Sequence, residues 1–206
     1  MRRIFRYLFP TLLLAAVTLT SAQAQDGVIR FNSGSNLPSS PDGFSDYWHS
    51  GVALGAGGVA TITQNFGVVA GLDYNRFGLS GEKFVEDFGL DAFGVSVSGG
   101  SVNVLNMSGG LKATLSPSNS VSPYVISDIG AFLMIVSDIK VEDGRRQSVE
   151  EIDESQTRFG ASLGAGLDLK MTPSHGVFVE ARYSRIFRSG DDLSFFPLRV
   201  GIFVSR

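Results

Sequence analysis

From Phe159 to Met171 two kinds of position alternate without a break: Phe159, Ala161, Leu163, Ala165, Leu167, Leu169 and Met171 against Gly160, Ser162, Gly164, Gly166, Asp168 and Lys170. A period of two is that of a strand with one apolar face and one small or charged face. A helix would scatter Asp168 and Lys170 among the leucines, and its glycines would weaken it. The same rhythm runs through Phe66–Tyr74, Leu105–Leu115, Val177–Phe187 and Phe196–Val204. Less regular strand patterns cover 47–62 and 121–136, and a short one lies near Val28–Asn32, which makes eight strands in all.

The links between these strands sort by length. Short ones at 63–65, 116–120 and 172–175 are rich in turn formers such as Asn65, Pro117, Asn119 and Pro173. Longer polar ones at 33–46, 80–100 and 137–157 alternate with them, and a shorter one lies at 189–192. Such alternation is what an antiparallel barrel crossing a membrane produces, with tight turns on one side and larger loops on the other. A soluble sandwich has no reason to segregate its loops.

The first 24 residues carry Arg2, Arg3 and Arg6, an apolar stretch from Leu8 to Leu19 and the small-residue pattern Ala22-Gln23-Ala24. That is the anatomy of a cleavable export signal, so the chain is read as a signal peptide over 1–24 and one domain over 25–206. Cleavage would leave 14 basic and 20 acidic residues, an excess of acid that argues against nucleic acid as a partner. The chain is only 18% charged, against about 25% in soluble domains. No later stretch reaches membrane-helix length, so the remaining way into a bilayer is as strands.

In hydrocarbon an unpaired backbone amide or carbonyl costs several kcal/mol, so strands cross only when the sheet closes on itself. The pattern therefore predicts an all-β fold: an eight-stranded antiparallel up-and-down transmembrane β-barrel with its apolar faces toward lipid. The inward face then carries Asp73, Asp128, Asp168 and Glu180 against Lys112, Lys170, Arg182 and Arg199. A barrel of eight strands is just wide enough for side chains to fill, so these groups are expected to pair as a lumen charge network. Inward glycines at 67, 71, 110, 160, 164, 166 and 201 are expected to make room for the long arginines. Trp48, Tyr183, Phe187 and Phe196 are assigned to an outer aromatic girdle, and Phe66 and Tyr124 to an inner one. Arg185 is expected near a membrane interface, and Pro197, which lacks a ladder donor, at a bulge near the outer rim.

Signal segment, eight alternating strands and the asymmetry of turns and loops together resemble the small outer-membrane β-barrels of Gram-negative bacteria, of the OmpA/OmpX type within the porin-like outer-membrane barrel superfamily. Ser122-Pro123-Tyr124-Val125 leading into Gly130-Ala131-Phe132 is similar to a strand opening common there. The closing strand of such proteins is read by the barrel-assembly machinery, and Arg199, Gly201, Ile202 and Val204 follow its order of polar residue, glycine and hydrophobics. The chain then runs Phe203-Val204-Ser205-Arg206 without a terminal aromatic. The resemblance implies location in the bacterial outer membrane, with lipids, the assembly machinery and an extracellular ligand or surface partner as contacts.

Chemistry is sparsely marked. There is no cysteine and there are two histidines, His49 and His175, so no zinc, iron or other cofactor is expected. Each histidine adjoins a serine, but strand neighbours point to opposite faces, which argues against a nucleophile and base pair. Gly55-Ala56-Gly57-Gly58 has no following helix or lysine and is strand, not a phosphate loop. The acidic run Glu150, Glu151, Asp153 and Glu154 lacks the turn glycine of a calcium loop. The function expected is non-enzymatic: a membrane anchor whose external loops serve envelope integrity, adhesion or partner recognition. A narrow pore for small or hydrophobic solutes and a lipid-modifying hydrolase are the alternatives.

Overall fold

The computed structural model describes residues 27–89, 95–117, 120–143, 146–150 and 155–205. The export segment lies outside these residues, as do Glu151, Asp153 and Glu154. Among the described residues nine strands follow one another: β1 (Gly27–Ser40), β2 (Gly51–Thr61), β3 (Phe66–Gly78), β4 (Val95–Thr114), β5 (Val121–Asp143), β6 (Arg146–Glu150), β7 (Ser155–Lys170), β8 (His175–Ile186) and β9 (Leu193–Ser205). Helix α1 (Asp42–Tyr47) lies between β1 and β2, and α2 (Gly81–Asp87) between β3 and β4.

Every pairing is antiparallel, and β1 pairs with β9 from Val28↔Ser205 to Ser40↔Ser194, which closes the wall. Eight strands form that wall, because β6 pairs only with the extension of β5, from Ile139↔Glu150 to Asp143↔Arg146. The β4 and β5 ladder runs on to Val95↔Asp143, so β4, β5 and β6 project beyond the barrel at the loop end. Closure leaves no edge strand in the wall, the condition for crossing hydrocarbon. Large apolar side chains face outward around it, with Ile129 73%, Leu163 64% and Val200 53% exposed. A continuous band of this kind is what a lipid-facing surface requires.

The tight ends are held by side chains near in sequence. Thr63 Oγ1 accepts from the backbone N–H groups of Asn65 and Phe66 at 3.3 and 3.1 Å, and Thr172 Oγ1 accepts from that of His175 at 3.0 Å. In these two turns a threonine at the start thus accepts from backbone donors of the turn.

The longer links depart from the sequence reading. Residues 33–40, read as loop because they are Ser, Gly, Asn and Pro, are strand: Ser33 pairs with both Leu54 and Val200. Neighbours on both sides override the weak local preference. Short helices occupy parts of 33–46 and 80–100, and a hairpin occupies part of 137–157. Pro197 is not at a bulge. The β8–β9 ladder lacks pairs at Arg182 and Tyr183 but keeps its register from Ala181↔Leu198 to Ser184↔Phe195, and the irregularity lies between Pro38 and Ser40 in β1. A missing donor is tolerated here because the register is fixed on both sides of it.

Candidate functional site in the barrel lumen

The lumen is filled in layers. Near the loop end, α1 turns Phe44 into the mouth, where it meets Phe77 edge-on at 5.0 Å, and Phe77 meets Phe195 at 5.3 Å. Val104, Phe132 and Ile186 complete this apolar plug, each wholly buried. A helix of six residues cannot hold itself together, so burial of Phe44 is what orders α1. Trp48 packs against Phe44 at 6.3 Å and is partly buried, so it belongs to the plug and not to the outer girdle.

Below the plug lies a charge network. Glu180 on β8 is its centre: Oε1 accepts from Arg182 Nε at 2.6 Å and lies 3.8 Å from Arg199 Nη1, while Oε2 accepts from the Tyr124 hydroxyl at 2.8 Å. Arg182 Nη1 also donates to Asp128 Oδ2 at 2.5 Å, and Arg199 Nη1 lies 3.1 Å from Asp73 Oδ1. Toward the turn end, Lys112 Nζ is bonded to Asp168 Oδ2, and Arg30 Nη2 lies 3.3 Å from Asp168 Oδ1. Arg30 is stacked over Phe178, 3.7 Å from the ring centre, and donates to the Tyr124 hydroxyl at 2.7 Å. Such pairs persist away from water only with partners and further hydrogen bonds, and the aromatic faces add cation–π attraction.

Seven of the eight residues assigned to the network, Asp73, Lys112, Asp128, Asp168, Glu180, Arg182 and Arg199, are brought together. Lys170 is not: it stands exposed at the last position of β7, where the wall gives way to the turn. The fourth cation is Arg30, which the short first strand concealed, although Ile29 and Phe31 on either side face outward. Tyr124 is 1% exposed and lies inside, a correction to its place in the inner girdle. The alternation that sends Asp128 inward sends Tyr124 inward with it.

The inward glycines serve aromatics more than arginines. A Cβ on Gly166 would stand 2.5 Å from Tyr124 Cζ, one on Gly160 2.6 Å from Phe132 Cε2, and one on Gly201 2.6 Å from Phe178 Cε1. Gly164 alone of the seven stands against an arginine side chain, that of Arg182. A cavity of about 40 Å³ remains beside Arg30, Asp73, Glu180 and Arg199. At ~10–15 Å³ for each water it accommodates about three, far from an open channel.

On the outside, Tyr183 and Phe196 meet at 5.0 Å, and Phe187 and Phe66 are exposed. Arg185 is bound to Asp192 at 2.7 Å near the loop end. Ser174 Oγ does reach His175 Nδ1, at 2.8 Å, because the two stand in a turn and not a strand. Thr172 Oγ1 lies 3.3 Å from the same nitrogen, and no carboxylate among the described residues binds the other one. His49 is exposed, and its backbone N–H donates to Gly78 O at 2.8 Å.

The outer membrane protein beta-barrel domain family matches residues 11–202. The chain belongs to that family. Its fold is shared by solved barrels of low sequence identity. Neisserial surface protein A is 16% identical, with 86% of this chain and 96% of that one covered and a TM-score of 0.56. Ail of Yersinia pestis, solved with the heparin analogue sucrose octasulfate, is 13% identical over 88% and 98% of the two chains, with a TM-score of 0.51. OprG of Pseudomonas aeruginosa is 13% identical over 89% and 97%, also at 0.51. No curated protein gives a significant sequence match. The chain is thus an integral barrel of the bacterial outer membrane.

Proposed function

We propose that this outer-membrane barrel is a non-enzymatic anchor with a sealed lumen, and that its working surface is external: the β4–β5–β6 projection and the two helices at the mouth. Filling of the lumen carries this reading. Among the described residues, the aromatic plug and the network centred on Glu180 fill the lumen and leave a cavity of about 40 Å³ beside that network. The projection, by contrast, is built at a length that membrane crossing does not require. β5 has 23 residues, whereas about nine to eleven tilted residues span the apolar band. What lies beyond the band is available for adhesion, envelope integrity or recognition of a surface partner. Delivery by an export signal over 1–24 and insertion by the barrel-assembly machinery belong to the same proposal.

Planar-bilayer recording of the refolded barrel tests it. The expected record is free of steady unitary steps. Reproducible open-channel steps would replace the anchor by a narrow pore.

A further inference from the structure

At the loop end, a cleft of about 220 Å³ lies at the mouth between β7 and the β8–β9 link, bounded by Gln156, Arg158, Arg188 and residues 189–191. Arg158 Nη2 donates to Gln156 Oε1 at 2.8 Å, while its Nε is buried with no hydrogen-bond partner among the described residues. Arg188 Nε donates to the main-chain oxygen of Asp191 at 3.0 Å, which fixes that guanidinium at the cleft. Asp192, next to the cleft in the link, is already engaged by Arg185 at 2.7 Å and by the backbone N–H of Arg188 at 3.0 Å. Neither Arg158 nor Arg188 forms a salt bridge among the described residues. Among the described residues, with Asp191 counted, the three ionised side chains around the cleft leave one net positive charge.

Its depth in the membrane is set by the neighbours in sequence. Phe159 and Phe187 are 72% and 48% exposed on the outer wall, and the Phe187 N–H donates to Phe159 O at 2.9 Å. Outward aromatic side chains of a barrel form girdles at its interfaces, where phosphates are found, and Arg158, the strand neighbour of Phe159, stands at that level on the inner side of the wall. Guanidinium groups present planar forks that match tetrahedral oxyanions, and charge-assisted bonds of this kind are about twice as strong as neutral ones.

We propose that the Arg158–Arg188 cleft binds a phosphoryl oxyanion, carried by an outer-leaflet lipid headgroup or present as free phosphate. This does not depend on whether the lumen conducts. In one arm, the full barrel is reconstituted in bilayers of phosphatidylcholine with phosphatidic acid, and the lipid retained after detergent extraction is weighed by mass spectrometry. In the other, inorganic phosphate is titrated into the detergent-solubilised barrel by calorimetry.

A lipid source gives selective retention of phosphatidic acid, and a soluble source gives saturable phosphate uptake alone. In either case Arg158→Gln and Arg188→Gln each weaken binding at least about tenfold, while Lys170→Gln leaves it unchanged. Heat-modifiable gel mobility establishes that each variant is folded. No selective binding in either arm, or binding indifferent to both arginine substitutions, overturns the proposal.

Discussion

Glu180 receives more of the lumen than any other side chain: three arginines lie within 3.9 Å of its carboxylate and Tyr124 donates to it. Removing one partner from a buried network leaves the others uncompensated, at a cost of about 3–5 kcal/mol. Glu180→Ala should therefore lower the unfolding free energy of the barrel in urea by that much and shift the midpoint down with it, and Arg199→Ala should act in the same direction. Lys170→Ala should leave the midpoint where it is, because that lysine stands outside the network. Gly166→Ala should cost about 1–3 kcal/mol, since the added methyl meets Tyr124 and Val179 O at 2.5 Å. Gel mobility against urea reads all of these, and an unmoved midpoint for Glu180→Ala would contradict the pairing. Parity in the sequence was enough to place Asp73, Asp128 and Glu180 inside. Arg30 escaped because Ser33 to Ser40 resemble a loop, which shortened its strand to too few positions for the alternation to register. Partners of the glycines were not legible at all, because a glycine's neighbour belongs to another strand whose register the sequence does not print.

At the scale of elements, strands were legible where one face is uniformly apolar, as in β7 and β9, and their ends were not. The lipid-facing periodicity stops at the membrane boundary, while β4 and β5 continue beyond it as an ordinary sheet. Helix α1 left no period to read in six residues, and its order comes from Phe44 in the plug. Replacing residues 138–154 by a short turn should therefore leave the barrel folded and heat-modifiable, because β6 pairs only with the part of β5 beyond the wall; loss of folding would show that the projection stabilises the barrel. The β8–β9 link makes a prediction in pH. The backbone N–H of Arg188, and then Arg185, hold the Asp192 carboxyl below the usual carboxylate range. Its folded-state value is depressed, so its contribution is present above the ordinary carboxylate value and is lost as pH falls through the lowered one. Hydrogen exchange of the Arg188 amide should stay protected through the range in which an ordinary aspartate protonates and open only in stronger acid. Opening within that range would count against the bond.

For the whole molecule, fold and location follow from one physical condition, that strands in hydrocarbon must close and turn their apolar faces outward. Filling of the lumen by side chains follows from the same count of strands, since eight leave room for side chains and little else. The natural absence of cysteine makes the orientation directly measurable, because one introduced thiol carries one label. Spin labels at Leu163→Cys, Val179→Cys and Ile129→Cys, in the barrel reconstituted in phospholipid, can be relaxed by oxygen from the bilayer or by a nickel chelate from water. Strong relaxation by oxygen and weak relaxation by the chelate at all three positions is the predicted result. Labels at Leu163 and Val179 that are shielded from oxygen and relaxed by the chelate would contradict it.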